Sequence, residues 1–189
     1  MFDGAISLYQ ILFTAIWVIV FLFFLLLSVI DFLHFIIPDQ ANIALALLGV
    51  LMIVLIWSYS GFDRFASPFL GSYALLFGFR ENILTNYILA ALFGFVFFAA
   101  IIVLSRGRAM GWGDAKLIGA IGLIFGWPEI VLILILSFIT GSIWSLPLLV
   151  RGRKSIKDPV PFGPFLVAGA AITFFFGYEI MALYFKLFS

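Results

Sequence analysis

The chain has 189 residues, of which 66% are hydrophobic and 10% charged, with a formal net charge of +1. A soluble domain carries roughly a quarter of its residues as charges, so the composition excludes an ordinary soluble enzyme, a disordered chain and a nucleic-acid binder, and describes an all-α polytopic membrane protein. With no cysteine and one histidine, disulfides, thiolate nucleophiles and cysteine-ligated zinc are excluded, and no metal or other cofactor is expected.

A transmembrane helix needs about 20 mostly apolar residues, and six candidate runs follow one another in a single domain, 1–189. Ile6 to Ile30 lacks the basic leader and cleavage site of a signal peptide, so it is expected to be a retained span. Ala41 to Ser60 follows the turn at Pro38 and Asp39. Gly61 to Thr85 mixes Asp63, Arg64, Arg80 and Glu81 with Phe65, Phe69, Tyr73 and Phe77, a pattern suited to the headgroup region. Asn86 to Leu104 is the third span, ending before Ser105, Arg106, Gly107 and Arg108. Ala115 to Trp127, the fourth, rises only about 20 Å against a hydrocarbon core of about 30 Å. It must be shielded by neighbours or extended by its glycine-rich approach. Ile130 to Val150 and Phe162 to Leu187 complete the set. Small residues at Gly122 and Gly126, and at Ser137, Gly141 and Ser145, have the spacing that lets helices approach closely.

Basic residues orient the bundle. Arg64, Arg80 and Lys186 fall on the side of the termini, whereas Arg106, Arg108, Lys116, Arg151, Arg153, Lys154 and Lys157 fall on the other. The positive-inside rule makes the second side cytoplasmic and places both termini outside.

Most acids have an interfacial explanation. Asp3, Asp63, Glu81, Glu129 and Glu179 are expected in solvated outward positions. Asp31 and Asp114 differ, because each adjoins an apolar helix at the cytoplasmic side, where topology lets them meet. Asp114 is also a candidate N-cap, and Asp31 a charged stop, although a carboxylate at a helix C-terminus faces the negative end of the dipole. Those helix ends favour charge on Asp114 over Asp31. As a pair, the two acids would share one proton, the ionised member activating water and the protonated one polarising a carbonyl. Gly111 and Gly113 would give a substrate backbone room beside Asp114, or serve only as helix-end flexibility. His34, three residues after Asp31, shares its helix face if the helix continues. It is expected as an interfacial histidine or a supporting partner of the acid, with no metal site. Asp39 is the expected N-cap of the second span and a secondary contact for a basic peptide. The same acids would also suit a small proton- or ion-coupled transporter.

Three blocks carry a resemblance: Ile30-Asp31 through Ile37-Pro38-Asp39, then Gly111-Trp112-Gly113-Asp114-Ala115-Lys116-Leu117, then Pro161-Phe162-Gly163-Pro164-Phe165. In order and spacing they resemble the signature blocks of type IV prepilin peptidases, aspartic membrane proteases of the GxGD type. The resemblance implies an endopeptidase of the inner, cytoplasmic membrane that removes the basic leader from prepilins or pseudopilins at the cytoplasmic face. It implies Asp31 and Asp114 as the catalytic pair, with membrane lipid as surroundings. Many bacterial members carry a second acid two residues after the first catalytic one, where this chain has Leu33. Their four-cysteine zinc segment has no counterpart in this cysteine-free sequence, so the resemblance extends to proteolysis and does not carry methyl transfer.

Overall fold

A computed structural model describes residues 8–60, 83–150 and 160–188. The described residues form six helices: α1 (Leu8–His34), α2 (Asp39–Ser60), α3 (Ile83–Leu104), α4 (Trp112–Phe125), α5 (Glu129–Val150) and α6 (Gly163–Phe188). All except α4 are long and apolar enough to cross a membrane. The protein is therefore an all-α, multi-pass membrane protein. Most of the headgroup segment expected over Gly61 to Thr85 lies outside the described residues, as do Asp3 and the basic run Arg151, Arg153, Lys154 and Lys157.

The short helix is the centre of the bundle. α4 packs against α2, α3, α5 and α6, and it is buried on most of its circumference, from Asp114 and Ala115 to Ile124 and Phe125. Its closest neighbour is α3. A Cβ on Gly122 would lie 2.6 Å from the Ala91 backbone nitrogen, and one on Gly94 would lie 3.0 Å from Ile118. These contacts step along the two helices in opposite directions, so the pair is antiparallel. Continued in register, Asp114 lies near the level of Phe98, about six residues or ~9 Å short of the α3 terminus. The start of α4 is thus recessed inside the bundle.

Asn86 closes the other end of α4. Its Nδ2 donates to the Trp127 carbonyl at 2.9 Å, and the Trp127 N–H donates to its Oδ1 at 2.9 Å. Non-helical backbone at membrane depth needs such internal partners, because lipid offers none. Gly126 makes the approach possible: its φ is +79°, and an added Cβ would stand 2.6 Å from Asn86 Oδ1. Glu129, expected in a solvated turn, is instead 1% exposed and within electrostatic reach of Tyr87. The turn is drawn inward against α3 by Asn86, and Glu129 follows it.

Aromatic contacts join the remaining helices. Trp17 of α1 lies between Phe125 of α4 and Phe174 of α6, with ring centroids 5.3 and 4.6 Å away. Phe162, at the entry to α6, meets Phe98 of α3 at 5.7 Å and Phe138 of α5 at 5.2 Å. Helices in lipid gain little from apolar burial on associating, so close packing and ring contacts supply the specificity. The small-residue spacing in α5 has the expected use: Gly169 of α6 lies against Ser137, and Gly141 against Phe165.

Asn86→Leu keeps the approximate volume but leaves the Trp127 N–H and C=O without their partner. Each orphaned buried group costs about 1–3 kcal/mol, so unfolding in detergent should become easier by about 2–4 kcal/mol. Unchanged thermal and denaturant midpoints would show that the turn is held by other contacts.

Candidate active site

Asp31 lies in the last turn of α1 and is 4% exposed; Asp114 lies in the first turn of α4 and is 8% exposed. The carboxylates are within electrostatic reach of each other. Asp31 Oδ2 accepts the Gly163 backbone N–H at 2.8 Å across 132 positions of sequence. Gly163 is the first residue of α6, so the positive end of that helix dipole faces the acid. Asp114 Oδ2 accepts the Gly111 N–H at 3.2 Å, and its Oδ1 is buried without a hydrogen-bond partner. Two acids from distant sequence therefore face one another, each held by a backbone amide at a helix N-terminus.

This geometry revises several local expectations. The N-cap of α4 is Gly111, with extended backbone at φ −88° and ψ 155°. Asp114 sits three positions later and provides the acid half of a capping box. α1 continues past the expected end at Ile30 to His34. The α6 amide also offsets the unfavourable dipole at the end of α1, which narrows the contrast between the helix ends at Asp31 and Asp114. Their roles as N-cap and charged stop give way to a shared buried site.

The supporting residues separate. Gly113 is at the site: an added Cβ would lie 3.0 Å from Ile37 Cβ, in the segment joining α1 to α2. Gly111 is exposed except for its amide contact to Asp114. His34 follows Asp31 on the same helix but is exposed. Asp39 is the first residue of α2 rather than its cap, because the Pro38 carbonyl accepts the Ala41 and Asn42 amides at 3.1 and 3.2 Å. Its carboxylate receives Lys116 Nζ at 2.7 Å, in a pair whose side chains are 62% and 44% exposed respectively.

Two contributors were not singled out from the sequence. Gly163 holds Asp31 through its amide, and a Cβ there would fall 2.6 Å from Asp31 Oδ2. A glycine between Phe162 and Pro164 at a helix entry was the available signal. Asn42 is 4% exposed, and its Nδ2 donates to the Gly113 carbonyl at 3.4 Å. An amide in an otherwise apolar run was its signal.

Residues 18–146 match the type IV leader peptidase family. The chain belongs to that family. It is 37% identical over 94 residues to a prepilin leader peptidase/N-methyltransferase of Burkholderia pseudomallei, covering 48% of this chain and 30% of that one. It is 36% identical over 119 residues to the leader peptidase HopD of Escherichia coli, covering 58% of this chain and 75% of HopD. A prepilin leader peptidase/N-methyltransferase of Bacillus subtilis shares 30% identity over 100 residues, covering 53% and 40% of the two chains. The matches thus span less than half of the Burkholderia and Bacillus relatives. No solved structure matches the chain. Membership in a peptidase family gives the transport alternative no support.

Gly163→Ala places a methyl group 2.6 Å from Asp31 Oδ2, so the carboxylate must shift. Peptidase turnover should fall roughly a hundredfold, the usual scale for a displacement of about 1 Å at a reacting centre, while helical content by circular dichroism stays unchanged. Full turnover in the alanine variant would remove Gly163 from the site.

Proposed function

We propose that this protein is an aspartic endopeptidase that removes the basic leader from type IV prepilins or pseudopilins at the cytoplasmic face of the inner membrane, with Asp31 and Asp114 as its catalytic pair. The carrying observation is the pair of buried, electrostatically coupled carboxylates at the recessed end of α4. Membership in the family supports peptide hydrolysis, and the names of the relatives support the substrate class. The orientation rests on the seven basic residues assigned to the dyad side against three on the other, by the positive-inside rule.

Two carboxylates at close range cannot both ionise cheaply, so the site holds one proton between them. The ionised member takes a proton from water as that water attacks the scissile carbonyl. The protonated member donates to the carbonyl oxygen, and a tetrahedral diol forms. On collapse the ionised member takes a proton from a diol hydroxyl as the carbonyl re-forms, the carbon–nitrogen bond breaks, and the other member gives its proton to the departing amine, which leaves one proton on the pair. The Gly163 and Gly111 amides fix the carboxylate orientations throughout. Gly113, with no side chain, lets Ile37 pack directly beside Asp114. The substrate's apolar helix remains in lipid while its leader junction reaches the recess.

Asp31→Asn and Asp114→Asn should each reduce cleavage of a co-expressed prepilin by at least about a hundredfold, the scale of lost acid–base catalysis, with folded protein retained. Normal cleavage by either variant would overturn the pairing. Because the active form carries one shared proton, kcat/KM should fall on both acidic and alkaline limbs. A flat profile across the range in which the enzyme stays folded would contradict that state. Mass spectrometry with and without S-adenosylmethionine separates leader removal from addition of a methyl group; removal alone is the expected product.

A further inference from the structure

Asp114 occupies one side of α4, and the helical repeat puts Lys116, Gly119 and Leu123 on the opposite side. There they floor a groove of about 410 Å³ between α2 and α3. Its size lies within the range of roughly 300–1,000 Å³ found for sites that hold small molecules. The space exists because Ala46, Ala91 and Gly119 present little or no side chain along it. Its walls are almost wholly apolar, so water gains few hydrogen-bond partners inside. Ile43 and Leu92 at its rim are 60% and 53% exposed, which opens the groove sideways to acyl chains.

The end nearest the start of α4 is charged. Lys116 and Asp39 pair there at 2.7 Å, with side chains 44% and 62% exposed. A partly solvated pair of this kind can exchange partners with an adjacent ion pair at small cost. We propose that the groove holds one acyl chain of phosphatidylethanolamine, whose phosphate meets Lys116 while its primary ammonium donates to Asp39. The protein and lipid charges then form two antiparallel ion pairs. An anionic glycerol headgroup satisfies Lys116 but places its charge beside the Asp39 carboxylate. A choline headgroup has the same net charge as ethanolamine but no N–H to give. A scissile peptide segment is a poorer occupant, since α4 itself separates the groove from the dyad.

The test uses the purified full chain with an equimolar mixture of phosphatidylethanolamine, phosphatidylcholine and phosphatidylglycerol carrying identical acyl chains, and counts retained lipid by native mass spectrometry. Ethanolamine lipid should be retained about fivefold over each of the others, the scale of one headgroup contact. Asp39→Asn and Lys116→Gln should each abolish the preference. Ala46→Phe, which fills the groove away from the ion pair, should lower retention of all three lipids. If Ala46→Phe fails to fold, Gly119→Ala carries the same test, because its Cβ has ordinary clearance of 3.5 Å to Phe95; it should lower retention by a smaller margin. Equal retention of ethanolamine and choline lipids, or a preference that persists in Asp39→Asn, overturns the proposal. So does a photoreactive residue at Ile43 that captures a prepilin helix in place of lipid.

Discussion

A helix of 14 residues cannot cross a hydrocarbon core of about 30 Å, because it rises only about 21 Å. Everything at the two ends of α4 answers that shortfall. Five longer helices surround or flank it, so its termini open into protein rather than lipid. At one end Asn86 supplies both hydrogen bonds that the turn at Trp127 requires. At the other, the recess below the end of α3 is where the acids meet. A full-length fourth span would have carried Asp114 out to the interface, where water would replace the geometry that couples it to Asp31. The shortness of α4 thus creates the site as well as the need to shield it.

Close approach follows from the same constraint. To fit a central helix among four neighbours, α4 and its partners need backbone-to-backbone contact at several levels. Gly122 provides it against Ala91, Gly49 against Leu123, and Gly94 against Ile118. Glycine is costly in a helix exposed to water, but in lipid the backbone has no water to replace its helical hydrogen bonds, and glycine permits packing that larger residues would prevent. The side of α4 turned toward α3 is therefore tight. The side bearing Gly119 faces the gap between α2 and α3, where an added Cβ would have ordinary clearance of 3.5 Å to Phe95, and this leaves the groove.

Much of this was legible because charge is scarce. Six helical runs, their order and the inadequacy of the fourth followed from apolar length alone, and Asp31 and Asp114 stood out once the other acids had interfacial explanations. Local rules failed wherever a distant element intervened. Asp31 looked unfavourable at a helix C-terminus, since nothing in its neighbourhood announced the α6 amide 132 positions away. Asp114 looked like an N-cap because aspartate caps well, yet Gly111 takes that position and leaves the carboxylate free to turn inward. Glu129 follows a proline turn, which suggests a solvated position, and the long-range bonds from Asn86 hold that turn in the bundle. Asp39 is the first residue of α2 rather than the N-cap expected of it, and its partner Lys116 belongs to a helix 77 positions on.

The hydrogen bond from Gly163 to Asp31 also explains why three separated sequence blocks must be kept together. The first block supplies one acid, the second supplies the other with the amide that orients it, and the third supplies the amide that orients the first. Ile37, from the end of the first block, packs on Gly113 of the second, while Asn42 of α2 reaches the carbonyl of that same glycine. The second block orients its own acid through Gly111, whereas the first depends on the third for the amide that holds Asp31. A bare Gly-x-Gly-Asp is weak as a signature for this physical reason: it specifies the capping half of one carboxylate and says nothing about the helix end that must oppose it. The glycine at the α6 entry supplies that opposing end, because its amide is the group that holds Asp31.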